Sequence, residues 1–243
     1  MTRRVLLLQH MDEDNPGRFG DFLRADGFAI DRVMVHRAHT LPSLAGYDFM
    51  YVLGGAMDVW QDDEHPWLIA EKAAIREWVE ERGRPFLGIC LGHQLLAEAL
   101  GGRVTLAREQ EIGVFDISLN IGTAHRVSHG LPKTARVTQW HHAEVASPPR
   151  GALVFASSPV SKIQAMLVGG CALGLQFHAE WKNEFIASWA GLPSYVAAME
   201  KVLGPDAHAR MMADAATIMP DYHRFARTLY DNLMSMAGLR TEA

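Results

Sequence analysis

The sequence predicts a three-layer α/β sandwich, a central and mostly parallel sheet with helices on both faces and a more antiparallel section appended to it. Three observations carry this expectation. Short apolar runs alternate with amphipathic stretches over the first hundred residues, the rhythm of βαβ units with right-handed crossovers. Beyond Gly102 the rhythm changes to closely spaced apolar runs separated by turn residues, which suits strands joined by hairpins. With 243 residues, 49% apolar and 21% charged, the chain can bury a sizeable core and lacks the bias of disordered or collagenous polypeptides.

Each element follows in turn. RRVLLLQ reads as a short buried strand, after which Asn15 supplies an N-cap and Pro16 the first residue of a helix running to about Asp26 and ended by Gly27. FAIDRVMVH gives a second strand and YDFMYVLGG a third, stopping at Gly54 and Gly55. His65-Pro66 opens a helix whose apolar positions Ile69, Ala73, Ala74, Ile75, Trp78 and Val79 recur near a 3.6-residue period and end at Gly83. Pro85 to Ile89 is a fourth strand, and LGHQLLAEALGG is the helix that follows. VTLA, GVFDISL, ARVTQW, EVASP, GALVFASS, IQAMLV and ALGLQF are the strand candidates of the antiparallel section. From Pro193 onward the pattern is helical, with Tyr222, Phe225, Leu229, Leu233 and Met236 spaced to pack back onto the body. No repeat, low-complexity stretch or linker divides the chain, so a single domain over 1–243 is expected, with a helical extension at about 190–243.

Composition narrows the function. Lysine plus arginine number 23 against 28 acids, for a formal charge of -5; this lacks the positive field that nucleic-acid binding needs. Val5 to Leu8 is too short for a signal peptide and runs into the acidic Asp12, Glu13 and Asp14. No stretch approaches the roughly 18 apolar residues of a membrane span. The two cysteines, Cys90 and Cys171, exclude a disulfide framework. The expectation is a soluble, cytoplasmic protein with no nucleic-acid or membrane partner.

The chemistry concentrates at PFLGICLGHQLLAEALGG. Cys90 sits in Gly88-Ile89-Cys90-Leu91-Gly92 at a strand-to-helix junction, the G-x-nucleophile-x-G pattern of a nucleophile elbow. The flanking glycines allow a sharp turn, and the first free amides of a helix favour thiolate over thiol. A core cysteine is the plainer reading, but a buried strand loses roughly 0.5–1 kcal/mol at each glycine and gains nothing from them. Cys171 has no such setting and reads as an ordinary apolar residue. A nucleophilic cysteine needs a base and the base an orienting group. His178 ends an apolar run and Glu180 follows two residues later, so both point the same way at a strand end. The remaining histidines, including His141-His142, read as surface or capping residues. A zinc site is weaker, because no C-x-x-C or H-x-x-x-H spacing occurs.

GGAMDVW, GICLGHQLLAEALGG and LQFHAEW resemble three signatures of the class I, triad-type glutamine amidotransferases, in particular stand-alone members similar to the amidotransferase domain of GMP synthase. The likeness covers roughly residues 48–182. It implies a flavodoxin-like fold, with Cys90 as nucleophile, His178 as general base and acid, and Glu180 as its orienting group. It further implies an oxyanion hole from the backbone amides of Gly55 and Leu91. It places Gly54, Gln94 and the loop Gln139-Trp140-His141 against the substrate, and Glu111-Ile112-Gly113 beside the pocket. Ala143 stands where many members have aspartate, with Glu144 next to it. The implied reaction is hydrolysis of the glutamine side-chain amide through a cysteine thioester, with no metal or organic cofactor. No glycine-serine-rich phosphate loop follows residue 182, so the ammonia is expected to pass to a separate synthetase subunit. The alternatives are a γ-glutamyl peptidase and a silent binding or regulatory module.

Overall fold

The computed structural model describes residues 2–37, 40–120, 126–182, 184 and 193–240. Its centre is a nine-stranded sheet in the order β2-β1-β3-β4-β9-β8-β7-β5-β6. The strands β1 (Arg4–Gln9), β2 (Ala29–Met34), β3 (Phe49–Val52), β4 (Phe86–Ile89) and β9 (Ala172–Leu175) run parallel. Then β8 (Ala165–Val168), β7 (Leu153–Ser157), β5 (Arg103–Leu119) and β6 (Thr134–Ser147) continue the sheet antiparallel. Covered parallel strands bury both faces. In β1, accordingly, Val5 and Leu7 enter one core while Leu6 and Leu8 enter the other. The first core lies under α1 (Gly17–Ala25), α4 (Pro193–Leu203) and α5 (Ala207–Met236), the second under α2 (Trp67–Arg76) and α3 (Leu91–Ala99).

Three details differ from the sequence reading. VTLA and GVFDISL are one strand, as are ARVTQW and EVASP. Residues 107–110 of β5 face a single residue of β6 between the pairs Leu106 with Ala143 and Glu111 with His141. Such a bulge bends a ribbon without ending it, and its polar sequence imitates a turn. In α2, Ile69 is 58% exposed while Glu71 is fully buried, because Glu71 pairs with buried His10 on the inner face. The first helix starts at Gly17, one residue later than expected, with Asn15 Oδ1 accepting from the Gly17 amide at 2.9 Å.

The tail packs as its spacing requires: Tyr222, Phe225, Leu229 and Leu233 are all buried against the sheet. Among the described residues, no helix is long and apolar enough to cross a membrane.

Topology selects the functional edge. From β1 the chain passes to β2 on one side and to β3 on the other, and ligands of open α/β sheets bind beyond the carboxyl ends of strands at such reversals. There the loops are knitted together: Cys90 N donates to Leu175 O at 2.8 Å and Gly92 N to Leu53 O at 3.2 Å.

Candidate active site

Strand β4 is apolar and buried throughout and stops at Ile89. The next residue, Cys90, has φ 51° and ψ -104°, and α3 begins immediately after it. Non-glycine residues in this region cost about 1–3 kcal/mol and persist only where the surroundings dictate them. The dictating contacts come from the flanking glycines. A Cβ on Gly88 would lie 2.4 Å from Gly92 O, and one on Gly92 would lie 2.4 Å from Val52 O. Gly92→Ala is therefore expected to lower stability by roughly 3 kcal/mol, read as a reduced denaturant midpoint with an unchanged slope.

His178 lies three residues beyond β9, on a backbone fixed from three sides. Its amide donates to Thr138 O at 2.9 Å, and its carbonyl accepts from Tyr222 Oη at 2.9 Å and from Thr138 Oγ1 at 3.0 Å. Its Nδ1 is 2.7 Å from Glu180 Oε1, and the ring stacks on Trp181 with centroids 4.1 Å apart. The ring also hydrogen-bonds the Cys90 side chain. Burial disfavours charge on this imidazole, yet the Glu180 carboxylate and the Cys90 sulfur outweigh it and push its pKa up to about 10. Glu180 is held in turn by α1, whose Arg18 amide donates to Glu180 O at 2.9 Å.

The loop after β3 closes the other side. A Cβ on Gly54 would stand 3.3 Å from His178 Cε1, and one on Gly55 only 2.7 Å from Leu91 Cδ2. The amides of Gly55 and Leu91 thus flank the sulfur, and among the described residues neither has an acceptor. A cavity of about 70 Å³ opens over Cys90. Its walls include Gly54, Gly55, Trp140, His178 and Trp181, with Met11, Asp14 and Asn15 from the loop after β1.

Trp140 reaches this cavity, its carbonyl 3.7 Å from Cys90 Sγ. His141 and Gln94 do not, and their placement corrects the substrate-binding expectation. Successive residues of a strand point to opposite faces, so His141 turns away from the cavity that its neighbour lines. It is buried with Nδ1 3.0 Å from Ala143 O, while Nε2 lies 3.1 Å from Glu111 Oε2 as an ion pair without hydrogen-bond alignment. Gln94 is likewise internal, its amide nitrogen donating to Ala143 O and to Gln176 Oε1, both at 3.1 Å. Glu111 sits beside His141 in the interior and accepts from Gln164 Nε2 at 2.6 Å. Nor are the other histidines uniformly superficial: His10, His93 and His141 are all core residues. Burial without a charged partner drives His93 down to about 3 and keeps it neutral.

Sequence reading passes over Asp14, which it treats only as part of an acidic patch. Its Oδ2 is sealed from solvent without a hydrogen-bond partner. Burial raises its carboxyl to about 7, against the pull of His10 and His178. The available signal is positional, since Asp14 follows the carboxyl end of a strand beside the reversal point.

A sulfur on a strained bend, an imidazole sharing a proton with it and a carboxylate behind the ring mark an α/β enzyme of the acyl-transferring cysteine class. Residues 24–184 match the family described as Glutamine amidotransferase class-I, and the chain belongs to that family. A glutamine amidotransferase of Thermotoga maritima superposes with a TM-score of 0.83 at 28% identity, covering 98% of this chain and 99% of that one. The amidotransferase-type subunit of a glutamine-hydrolyzing GMP synthase from Sulfurisphaera tokodaii is 41% identical over 108 residues, which is 44% of this chain and 56% of the relative. Gamma-glutamyl peptidase 5 of Arabidopsis thaliana is 26% identical over 144 residues, 58% of this chain and 56% of the relative. The chain thus spans little more than half the length of these two relatives.

Proposed function

We propose that this enzyme hydrolyses the side-chain amide of glutamine through a thioester on Cys90 and releases the ammonia to a separate synthetase subunit. The observation that supports it best is the hydrogen-bonded line from Cys90 through His178 to Glu180, set beside two amides with no acceptor among the described residues. The Cys90 sulfur attacks the amide carbon, and the charge that develops on oxygen is received by the amides of Gly55 and Leu91. Each such donor is worth about 2.7–4 kcal/mol in the transition state. His178 gives its proton to the departing nitrogen, leaving a γ-glutamyl thioester. Water deprotonated by His178 then attacks the thioester, expelling glutamate and restoring the thiol. Glu180 keeps the ring in the tautomer and orientation that both steps need. The relative named as one subunit of a GMP synthase supports delivery to a separate acceptor.

Asp14 gives the cavity a carboxylate suited to the α-ammonium group of the substrate. A charge-assisted hydrogen bond of about 1.5–3 kcal/mol corresponds to roughly 10- to 100-fold in affinity. Asp14→Asn is expected to raise KM for glutamine by that factor. The same change is expected to stabilise the protein. An acid held above its ordinary value of 3.8 at about 7 destabilises the fold as pH rises between those values. The gain is therefore full above about pH 7, absent below about pH 4, and measurable by melting curves across that range.

The test is incubation of purified protein with glutamine and, separately, with γ-glutamyl dipeptides, following ammonia, glutamate and amino-acid release. Ammonia and glutamate from glutamine support the proposal. Amino-acid release from the dipeptides without ammonia from glutamine replaces it with γ-glutamyl peptidase activity, the reading favoured by the Arabidopsis relative. Silence on both, with Cys90 unreactive toward a glutamine-mimicking alkylator, overturns both in favour of a binding module.

A further inference from the structure

Behind the loop that carries Gly55 lies a buried ion pair that the steps above do not use. His10, the first residue beyond β1, and Glu71, on the inner face of α2, have side chains wholly shielded from solvent. His10 Nε2 lies 3.0 and 3.2 Å from the two carboxylate oxygens of Glu71, and Nδ1 lies 2.6 Å from Gly54 O. Trp67 stacks on the ring at 5.5 Å.

Hydrogen-bond inventory fixes the state of this ring. A peptide carbonyl only accepts, so Nδ1 carries a hydrogen; an ionised carboxylate only accepts, so Nε2 carries one too. The ring is then an imidazolium clamped between a carboxylate and a carbonyl. Burial opposes that charge, and the Glu71 carboxylate more than compensates, so the ring's pKa lies above its ordinary value. A buried ion pair is a poor source of net stability compared with apolar residues of the same shape, which leaves its presence to be accounted for by what it touches.

What it touches is one end of a single peptide plane. Gly54 O and Gly55 N–H belong to the same trans unit and point in opposite directions. Anchoring the carbonyl therefore aims the amide. A cation on the carbonyl also draws electron density away from the nitrogen, and hydrogen bonds in series strengthen one another. The ring and loop are in close contact, since a Cβ on Gly55 would lie 3.0 Å from His10 Cβ.

We infer that His10, charged and held by Glu71, is a positioning residue that aims and strengthens the Gly55 amide toward the oxyanion of the transition state. The inference rests on the proposed role of Gly55. Its test uses two variants of the full chain. Glu71→Gln keeps a hydrogen bond to the ring but removes the countercharge, and the double variant His10→Phe with Glu71→Met removes the pair without stranding a buried charge. Expected losses in kcat are about tenfold and about 100-fold, no more than deletion of a donor costs, with KM within about twofold. Alkylation of Cys90 by iodoacetamide, a displacement that forms no oxyanion, is expected to keep its wild-type rate. Glutaric semialdehyde, which forms a thiohemiacetal on the thiol, is expected to bind more weakly in step with kcat. Wild-type kcat in a folded double variant overturns the inference, as does alkylation falling in parallel with kcat. If glutaric semialdehyde binds the wild-type protein no better than glutaric acid, the oxyanion role of Gly55 itself fails. If it binds the wild type and the variants equally tightly, only the role of His10 and Glu71 fails.

Discussion

Cys90→Ala is expected to remove at least about 10,000-fold of amide hydrolysis while leaving a folded protein. Nothing else among the residues around the cavity can form the thioester, because the other cysteine, Cys171, sits beside Gly83 O at the opposite end of the strands. Loss of one sulfur from a residue already adjoining a cavity removes little packing. Alanine retains a Cβ, so the strain at φ 51° stays. Cys90→Gly relieves it, and this variant is expected to be equally inactive yet about 1–3 kcal/mol more stable than the wild type. Ammonia release and urea melts on the two variants check both halves. Unfolding of Cys90→Ala would mark the cysteine as a packing residue and remove the basis for hydrolysis.

Glu180→Gln is expected to lower kcat by roughly 100- to 10,000-fold, the range seen when a triad base loses its carboxylate. It also carries a pH signature. The wild-type ring is raised from 6.5 to about 10. A base raised on folding stabilises the native state fully below its unfolded value and loses that contribution as pH climbs to the folded one. Each unit is worth about 1.4 kcal/mol, so the contribution at pH below 6.5 is on the order of 5 kcal/mol. With glutamine at 180 the main attraction that overcomes burial is gone. The variant should be clearly less stable than wild type near pH 6.5, and the two should converge as pH approaches 10. Urea melts at several pH values measure the gap. A gap that does not change with pH would assign Glu180 a purely steric role.

Much of this arrangement is legible in the sequence because it rests on local rules. The period of the first hundred residues gives the parallel layer, and Gly88 and Gly92 reveal the bend at Cys90 because only a residue without Cβ fits against the Val52 and Gly92 carbonyls. His178 and Glu180 are readable for the same reason, being two apart at a strand end. What sequence does not disclose is phase and long-range pairing. A loop assignment cannot tell that residue 140 faces the cavity and His141 does not, since that depends on where the bulge at residues 107–110 sets the register. Periodicity counts Ile69 as core and Glu71 as surface; a histidine sixty-one residues earlier reverses them. Asp14 acquires meaning only when the loop after β1 is laid beside the loop after β3.

The phenol of Tyr222 donates to the His178 carbonyl and receives the Thr138 amide at 3.1 Å, and it stands midway along a helix of 30 residues. Such a rod is about 45 Å long, far longer than the sheet edge it braces. The C-terminal segment is thus a splint for the proton-transfer group, and shortening it to obtain a smaller, tidier domain would set the imidazole adrift along with the tail.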